Sequence, residues 1–258
     1  MDTILTHLND DGIMTVNLNR PDKLNALNNT VLQELAEVFQ KSKTDRNVKA
    51  LLLTGEGKAF CAGADISRLA ECDATSGYDF AVEGQKVFRL LETLGKPSLS
   101  AINGYAFGGG CELAIASTIR IASSTAQFGQ PEVKLGVIPG YGGTQRLARL
   151  IGKGRAMDLC LSGRFIDAEC ALKWGLVTDV VEPAKLLEKA HTILKNIVSL
   201  APLAIQSIMD CINHGYDLSL SDALHLEAVH FAKTCATEDK KEGVSAFLEK
   251  RNAQFKGE

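Results

Sequence analysis

Ser98-Leu99-Ser100-Ala101-Ile102-Asn103-Gly104-Tyr105-Ala106-Phe107-Gly108-Gly109-Gly110-Cys111-Glu112-Leu113-Ala114 decides the fold class. Ser98 to Ile102, after Pro97, reads as a strand. A triple glycine then leads into residues that suit a helix from about Gly109 to Ser117, and Ile119 to Ala122 is strand-like again. Strand, turn, helix and strand in that order make a βαβ unit, which implies a parallel sheet and right-handed crossovers.

The flanking sequence repeats this alternation. Ala50 to Thr54 is a short apolar strand ended by Gly55-Glu56-Gly57. A helix is predicted over Asp79 to Leu94, with Val82, Val87, Leu90, Leu91 and Leu94 as its apolar positions and Pro97 as its stop. Upstream, Thr3 to Leu8 and Ile13 to Leu18 read as a hairpin around Asp10-Asp11-Gly12. Met14, Val16 and Leu18 share one face of its second strand, and a helix follows from about Asn29 with Leu32, Leu35, Ala36 and Phe39 as its stripe. After about Val180 the character changes: Pro183 to Leu200, Pro202 to His214, Ser219 to Cys235 and Glu238 to Arg251 all read as helices. The expected organisation is an α/β core over residues 1–180 and a helical region over 181–258.

Composition narrows the function classes. The chain has 258 residues, 45% of them hydrophobic and 23% charged, enough to bury a core without staples. A net charge of −3 with interspersed signs gives no basic stripe for nucleic acid. No apolar run approaches the roughly 18 residues of a membrane span, and the first residues lack a basic and then apolar leader, so a cytoplasmic location is expected. Seven scattered cysteines, with no Cys-x-x-Cys and no histidine cluster, read as reduced thiols rather than a zinc site.

Two glutamates carry the chemistry. Glu112 stands just after the glycine run, and Glu132 lies in Phe128-Gly129-Gln130-Pro131-Glu132, ahead of Gly136-Val137-Ile138-Pro139-Gly140-Tyr141-Gly142-Gly143-Thr144-Gln145-Arg146-Leu147. Read alone, Glu112 is a carboxylate favoured by the helix dipole, and Glu132 is a solvated acid in a short, extended segment. Together they form a pair in which burial and mutual repulsion would keep one acid protonated near neutral pH, as addition to a double bond requires. The glycine run reads equally as a tight turn or as half of an oxyanion hole, since first-turn N–H groups of a helix lack partners. Lys58-Ala59-Phe60-Cys61-Ala62-Gly63-Ala64-Asp65-Ile66 is the candidate for a second donor strand end, with Asp65 either a helix cap or a ligand contact. Cys61 and Cys111 read as buried apolar residues, and no histidine accompanies them as a base.

These segments resemble the crotonase (enoyl-CoA hydratase/isomerase) superfamily, over essentially the whole chain, and most of all short-chain enoyl-CoA hydratases. Ala62-Gly63-Ala64-Asp65-Ile66, Asn103 to Ala114 and Phe128 to Arg146 carry the likeness, and Arg20-Pro21-Asp22-Lys23-Leu24-Asn25-Ala26-Leu27 adds to it. The resemblance implies a crotonase-like ββα spiral with a C-terminal helical trimerisation region, giving a homo-oligomer, trimer or dimer of trimers. It implies a lyase with no cofactor, coenzyme A being part of the acyl-CoA substrate, of the kind used in fatty-acid β-oxidation. By position it assigns the oxyanion hole to the N–H groups of Ala64 and Gly109, activation of the attacking water to Glu112, and the proton for C2 to Glu132. Lys23, Leu24, Ala26, Ala62, Ala64, Asp65, Ile66 and Gly109 would line the substrate, and Phe247 and Lys250 would meet CoA at a subunit boundary. The mammalian mitochondrial pattern has a lysine where this chain has Ser67, which makes Arg68 the candidate for that charge. An isomerase on the same fold, relying on one acid near Glu132, and a non-catalytic acyl-CoA-binding protein are the alternative readings.

Overall fold

The computed structural model describes residues 2–258 and bears out the hairpin: β1 (Ile4–Leu8) pairs antiparallel with β2 (Ile13–Leu18), Ile4 opposite Leu18. Helix α1 (Asn29–Thr44) is started by Asn28, whose side chain accepts from the Val31 N–H, and it buries Val31, Leu32, Leu35, Val38 and Phe39. Strand β3 (Ala50–Gly55) is buried along its whole length, as its unbroken apolar run requires, and β4 (Ala59–Cys61) follows it. Next come the short α2 (Ile66–Leu69) and the long α3 (Ala74–Glu92). Helix α3 begins five residues before the predicted Asp79, because Asp73 and Ser76 form a reciprocal capping box.

The remaining core elements are β5 (Ser98–Ile102), β6 (Tyr105–Phe107), α4 (Gly109–Ile115), β7 (Ile119–Ser123), β8 (Gln127–Gly129), α5 (Gly143–Ile151), α6 (Lys153–Ser162), β9 (Phe165–Asp167), α7 (Ala168–Trp174) and β10 (Asp179–Val181). Helices α8 (Leu186–Val198), α9 (Pro202–Gly215), α10 (Leu220–Cys235) and α11 (Glu238–Glu249) complete the chain, matching the all-helical reading of its last part.

Two sheets result. One has the order β1-β2-β3-β5-β7-β10, parallel except at the hairpin, and the other has the order β4-β6-β8-β9, parallel except between β8 and β9. The chain alternates between them: β3 then β4, β5 then β6, β7 then β8, each pair followed by helix. This is the expected ββα spiral. The second sheet and helices α5 to α7 were not anticipated, because three-residue strands are too short to show period-two alternation.

One compact unit runs to Leu194, and the other spans Lys195–Glu258. Within the first, the core is built from β3, α1, α3 and α4, with Phe39, Phe60, Phe88 and Phe128 fully enclosed. Within the second, α9 and α10 pack together, and Asp239, buried, accepts from the Lys256 and Gly257 N–H groups to tie down the C-terminal tail. Leu220, Phe231, Phe247 and Leu248 are exposed there. No single helix among the described residues is long and apolar enough to cross a membrane.

Candidate active site

The turn between β6 and α4 is built by close approach. Gly108 has φ +47°, and its N–H donates to the Gly129 carbonyl at 2.9 Å, which locks the end of β6 to β8. A Cβ on Gly108 would stand 2.4 Å from Glu132 Oε1, and one on Gly110 would stand 2.0 Å from the Cys61 carbonyl oxygen. Two of the three glycines are therefore approached by groups from other segments, Glu132 at Gly108 and β4 at Gly110, which the plain-turn reading does not explain.

Gly109 is the first residue of α4, so its N–H has no intrahelical acceptor. Ala64 is brought beside it: a Cβ on Gly109 would lie 3.3 Å from the Ala64 nitrogen. The segment before Ala64 is held by a parallel bridge between Leu27 and Ala64, in which the Leu27 N–H donates to the Gly63 carbonyl and the Asp65 N–H to the Leu27 carbonyl, each at 2.8 Å. In that ladder geometry the Ala64 N–H faces away from the partner strand. Asp65 takes the cap role, accepting from the Ser67 N–H at the start of α2, and it also faces Arg20 at 3.4 Å.

Glu112 lies in the first turn of α4, as predicted, and is only 1% exposed. Its Oε1 accepts from the Tyr141 N–H at 2.8 Å and the Gly143 N–H at 2.6 Å. Those donors belong to the turn entering α5, and Arg146 braces the turn by donating to the Tyr141 carbonyl at 2.7 Å while pairing with Glu92. Burial, and then the charge of Glu132, push the Glu112 carboxyl up to about 8, against the pull of the two backbone donors. Glu132 sits in a 3-10 turn, Pro131–Leu135, rather than in extended chain, because Pro131 suits the first position of a helical turn. It is partly buried, which pushes its carboxyl up to about 7. The charge of Glu132 thus adds to the rise at Glu112, whereas the rise at Glu132 comes from burial.

Among the remaining sequence candidates, Lys23, Leu24 and Ala26 run alongside Ala62 to Asp65, joined by the Ala62 N–H donating to the Leu24 carbonyl at 2.9 Å. Lys23, Leu24 and Ile66 are exposed and Ala26, Ala62 and Ala64 partly so, which leaves this double segment open to a ligand. Leu24 and Asn25 both have positive φ, and Asn25 holds the bend by donating to the Glu56 and Ala59 carbonyls. Arg68 is committed inward: it pairs with Glu83 at 2.6 Å and stacks over Phe80. Phe247 and Lys250 fall in the second compact unit. Cys61 and Cys111 are fully buried, and burial pushes the Cys61 thiol up to about 12, so neither is an activated nucleophile.

Sequence reasoning missed the parts played by Tyr141, Gly143, Arg146 and Gln130. All four stand in quoted segments, but three act through backbone groups or on them, and a sequence gives no sign of that. The Gln130 amide lies 3.2 Å from both Glu132 carboxylate oxygens, and its hydrogen bonding is satisfied with the NH2 turned to Glu132.

Comparison with known proteins gives one answer throughout. The enoyl-CoA hydratase/isomerase family model matches residues 9–258. A short-chain-enoyl-CoA hydratase of Clostridium acetobutylicum is 47% identical over 243 residues, covering 94% of this chain and 93% of that protein. A crotonyl-CoA hydratase of Syntrophomonas wolfei is 44% identical over 247 residues, covering 95% of each. The crystal structure of an enoyl-CoA hydratase from Bacillus anthracis superposes with a TM-score of 0.96 at 38% identity, over 99% of this chain and 100% of that one. Sequence and fold thus agree with these relatives over nearly the whole chain, and the chain belongs to the enoyl-CoA hydratase/isomerase family.

Proposed function

We propose that the protein is an enoyl-CoA hydratase, adding water across the 2-trans double bond of a short-chain enoyl-CoA thioester to give the 3-hydroxyacyl-CoA. The observation that carries this reading is the pair Glu112 and Glu132 beside the Gly109 and Ala64 N–H groups. Two acids with raised proton affinity hold one proton between them near neutral pH, so one serves as base while the other serves as acid.

The thioester oxygen would sit on the Ala64 and Gly109 N–H groups. The reactive form is the minor one in which the shared proton stands on Glu132: Glu112, then ionised and with its Oε1 held by two backbone donors, takes a proton from the bound water as the water oxygen bonds to C3. The π electrons move onto the thioester oxygen as an enolate, which the two N–H groups stabilise; one such donor contributes about 3–4 kcal/mol to the barrier. Protonated Glu132 then delivers its proton to C2. Return of a proton from Glu112 to Glu132 resets the pair, and the net change is H and OH added. The open double segment of Lys23, Leu24 and Ala26 against Ala62, Asp65 and Ile66 would receive the CoA portion. Exposed Leu220, Phe231, Phe247 and Leu248 in the C-terminal unit support assembly as a trimer or dimer of trimers.

The test is loss of enoyl-thioester absorbance when the protein meets crotonyl-CoA. Glu112→Gln and Glu132→Gln are each expected to reduce that rate by orders of magnitude with the fold retained. Near-normal turnover in both, or double-bond migration in a 3-enoyl-CoA in place of hydration, refutes the assignment.

A further inference from the structure

Gln130 is fully buried, yet its side chain ends among charged groups. It immediately precedes the 3-10 turn that carries Glu132, and its amide lies 3.2 Å from each of that residue's carboxylate oxygens. The other end of the same amide lies near Gly143, where an added Cβ would stand 2.8 Å from it and 2.9 Å from Glu112 Oε1. The amide therefore lies between Glu132 and the Gly143 turn that holds Glu112. A buried amide of this kind is tolerated only when hydrogen-bonded, and the NH2 donating to Glu132 meets that need.

We propose that Gln130 is a positioning residue that fixes the Glu132 carboxyl against the Gly108 turn and, by donating to its ionised form, restrains its affinity for a proton. The inference deepens the hydratase reading and rests on it for the kinetic part only. Glu132 needs such restraint because its surroundings oppose its charge. Glu112 and Cys111 face it from α4 and Cys160 from α6, the thiols neutral, with the Cys160 thiol pushed up to about 11 by burial. Lys134 shares its turn but reaches out over Phe165, and Arg146 acts on Glu112 instead. Without the Gln130 donor, the ionised form of Glu132 rests on backbone alone. An acid that held its proton too tightly would deliver it poorly to C2.

The experiment replaces Gln130 by methionine, similar in length and without a donor, and by glutamate, isosteric and opposite in effect. Glu132 is titrated by infrared difference spectroscopy in a Glu112→Gln background, with the Glu112→Gln, Glu132→Gln double variant as blank. Loss of a hydrogen bond to a charged group is expected to raise the Glu132 midpoint by about one pH unit or more in Gln130→Met, and further in Gln130→Glu. In otherwise wild-type protein the acidic limb of the kcat/KM profile for crotonyl-CoA moves up in parallel. An unmoved Glu132 midpoint in both variants, with kcat/KM lowered equally at every pH, overturns the proposal and leaves Gln130 a packing residue. If the wild type does not hydrate crotonyl-CoA, the hydratase reading falls, while the infrared titration still decides the role of Gln130.

Discussion

Glu112→Gln is expected to stabilise the protein above neutral pH while abolishing its activity. The Glu112 carboxyl is held at about 8 in the folded chain against an ordinary value of 4.5. Between those values the folded chain keeps a proton that the unfolded chain has lost, so stability falls as pH rises. The favourable state is complete below about 4.5 and is lost as pH passes through about 8. At ~1.4 kcal/mol per unit the full swing is roughly 5 kcal/mol, an order-of-magnitude figure set by burial and by the charge of Glu132. Glutamine keeps an oxygen for the Tyr141 and Gly143 N–H groups and carries no charge, so the swing disappears. At roughly 2 °C per kcal/mol for a chain of this size, the Tm of the variant should gain about 10 °C on the wild type between about pH 5 and pH 9. Thermal scans at matched protein concentration across that range measure it. A Tm difference that does not change with pH would refute the reasoning, because it would mean that Glu112 is not held protonated by its surroundings.

Three further outcomes are expected. The kcat/KM for crotonyl-CoA should follow a bell with limbs at about 7 and about 8, belonging to the pair rather than to either acid, and a profile that stays flat well below and well above those limbs would contradict the shared proton. Gly108→Ala should lower hydration at least about 100-fold, since its Cβ would stand 2.4 Å from Glu132 Oε1, whereas Gly136→Ala, also at positive φ but with no described residue's atom within 4 Å, should lose about 1–2 kcal/mol of stability in urea and keep its activity. Tyr141→Phe should retain hydration and be equally stable or about 1 kcal/mol more stable, because the buried Tyr141 hydroxyl has no hydrogen-bond partner among the described residues while the N–H that holds Glu112 is unchanged.

Much of the fold was legible because its longer elements carry clean patterns. The apolar run of β3 and the capped stripe of α1 identify themselves. The second sheet was not legible, since its strands take only three residues each and their pairing comes from the spiral, not from local alternation. Glu112 and Glu132 were legible as acids in glycine-rich company. Their properties were not, because those depend on partners far along the chain: Tyr141 and Gly143 stand 29 and 31 positions beyond Glu112.

The two N–H groups proposed to hold the thioester oxygen differ in how far they can be read from sequence. Gly109 can be read as a donor from its place at the start of a helix, a local fact. Ala64 cannot, because nothing in its identity frees its N–H. That freedom comes from Leu27, which occupies the neighbouring Gly63 carbonyl and the Asp65 N–H and so leaves the intervening Ala64 N–H facing away from it. Leu27 in turn reaches that register through the bend at Leu24 and Asn25, both at positive φ and pinned by the Asn25 side chain on the Glu56 and Ala59 carbonyls. The proposed second donor is therefore set by a buried asparagine in another segment. Replacing Asn25 would be expected to damage the site without touching any group that meets the substrate.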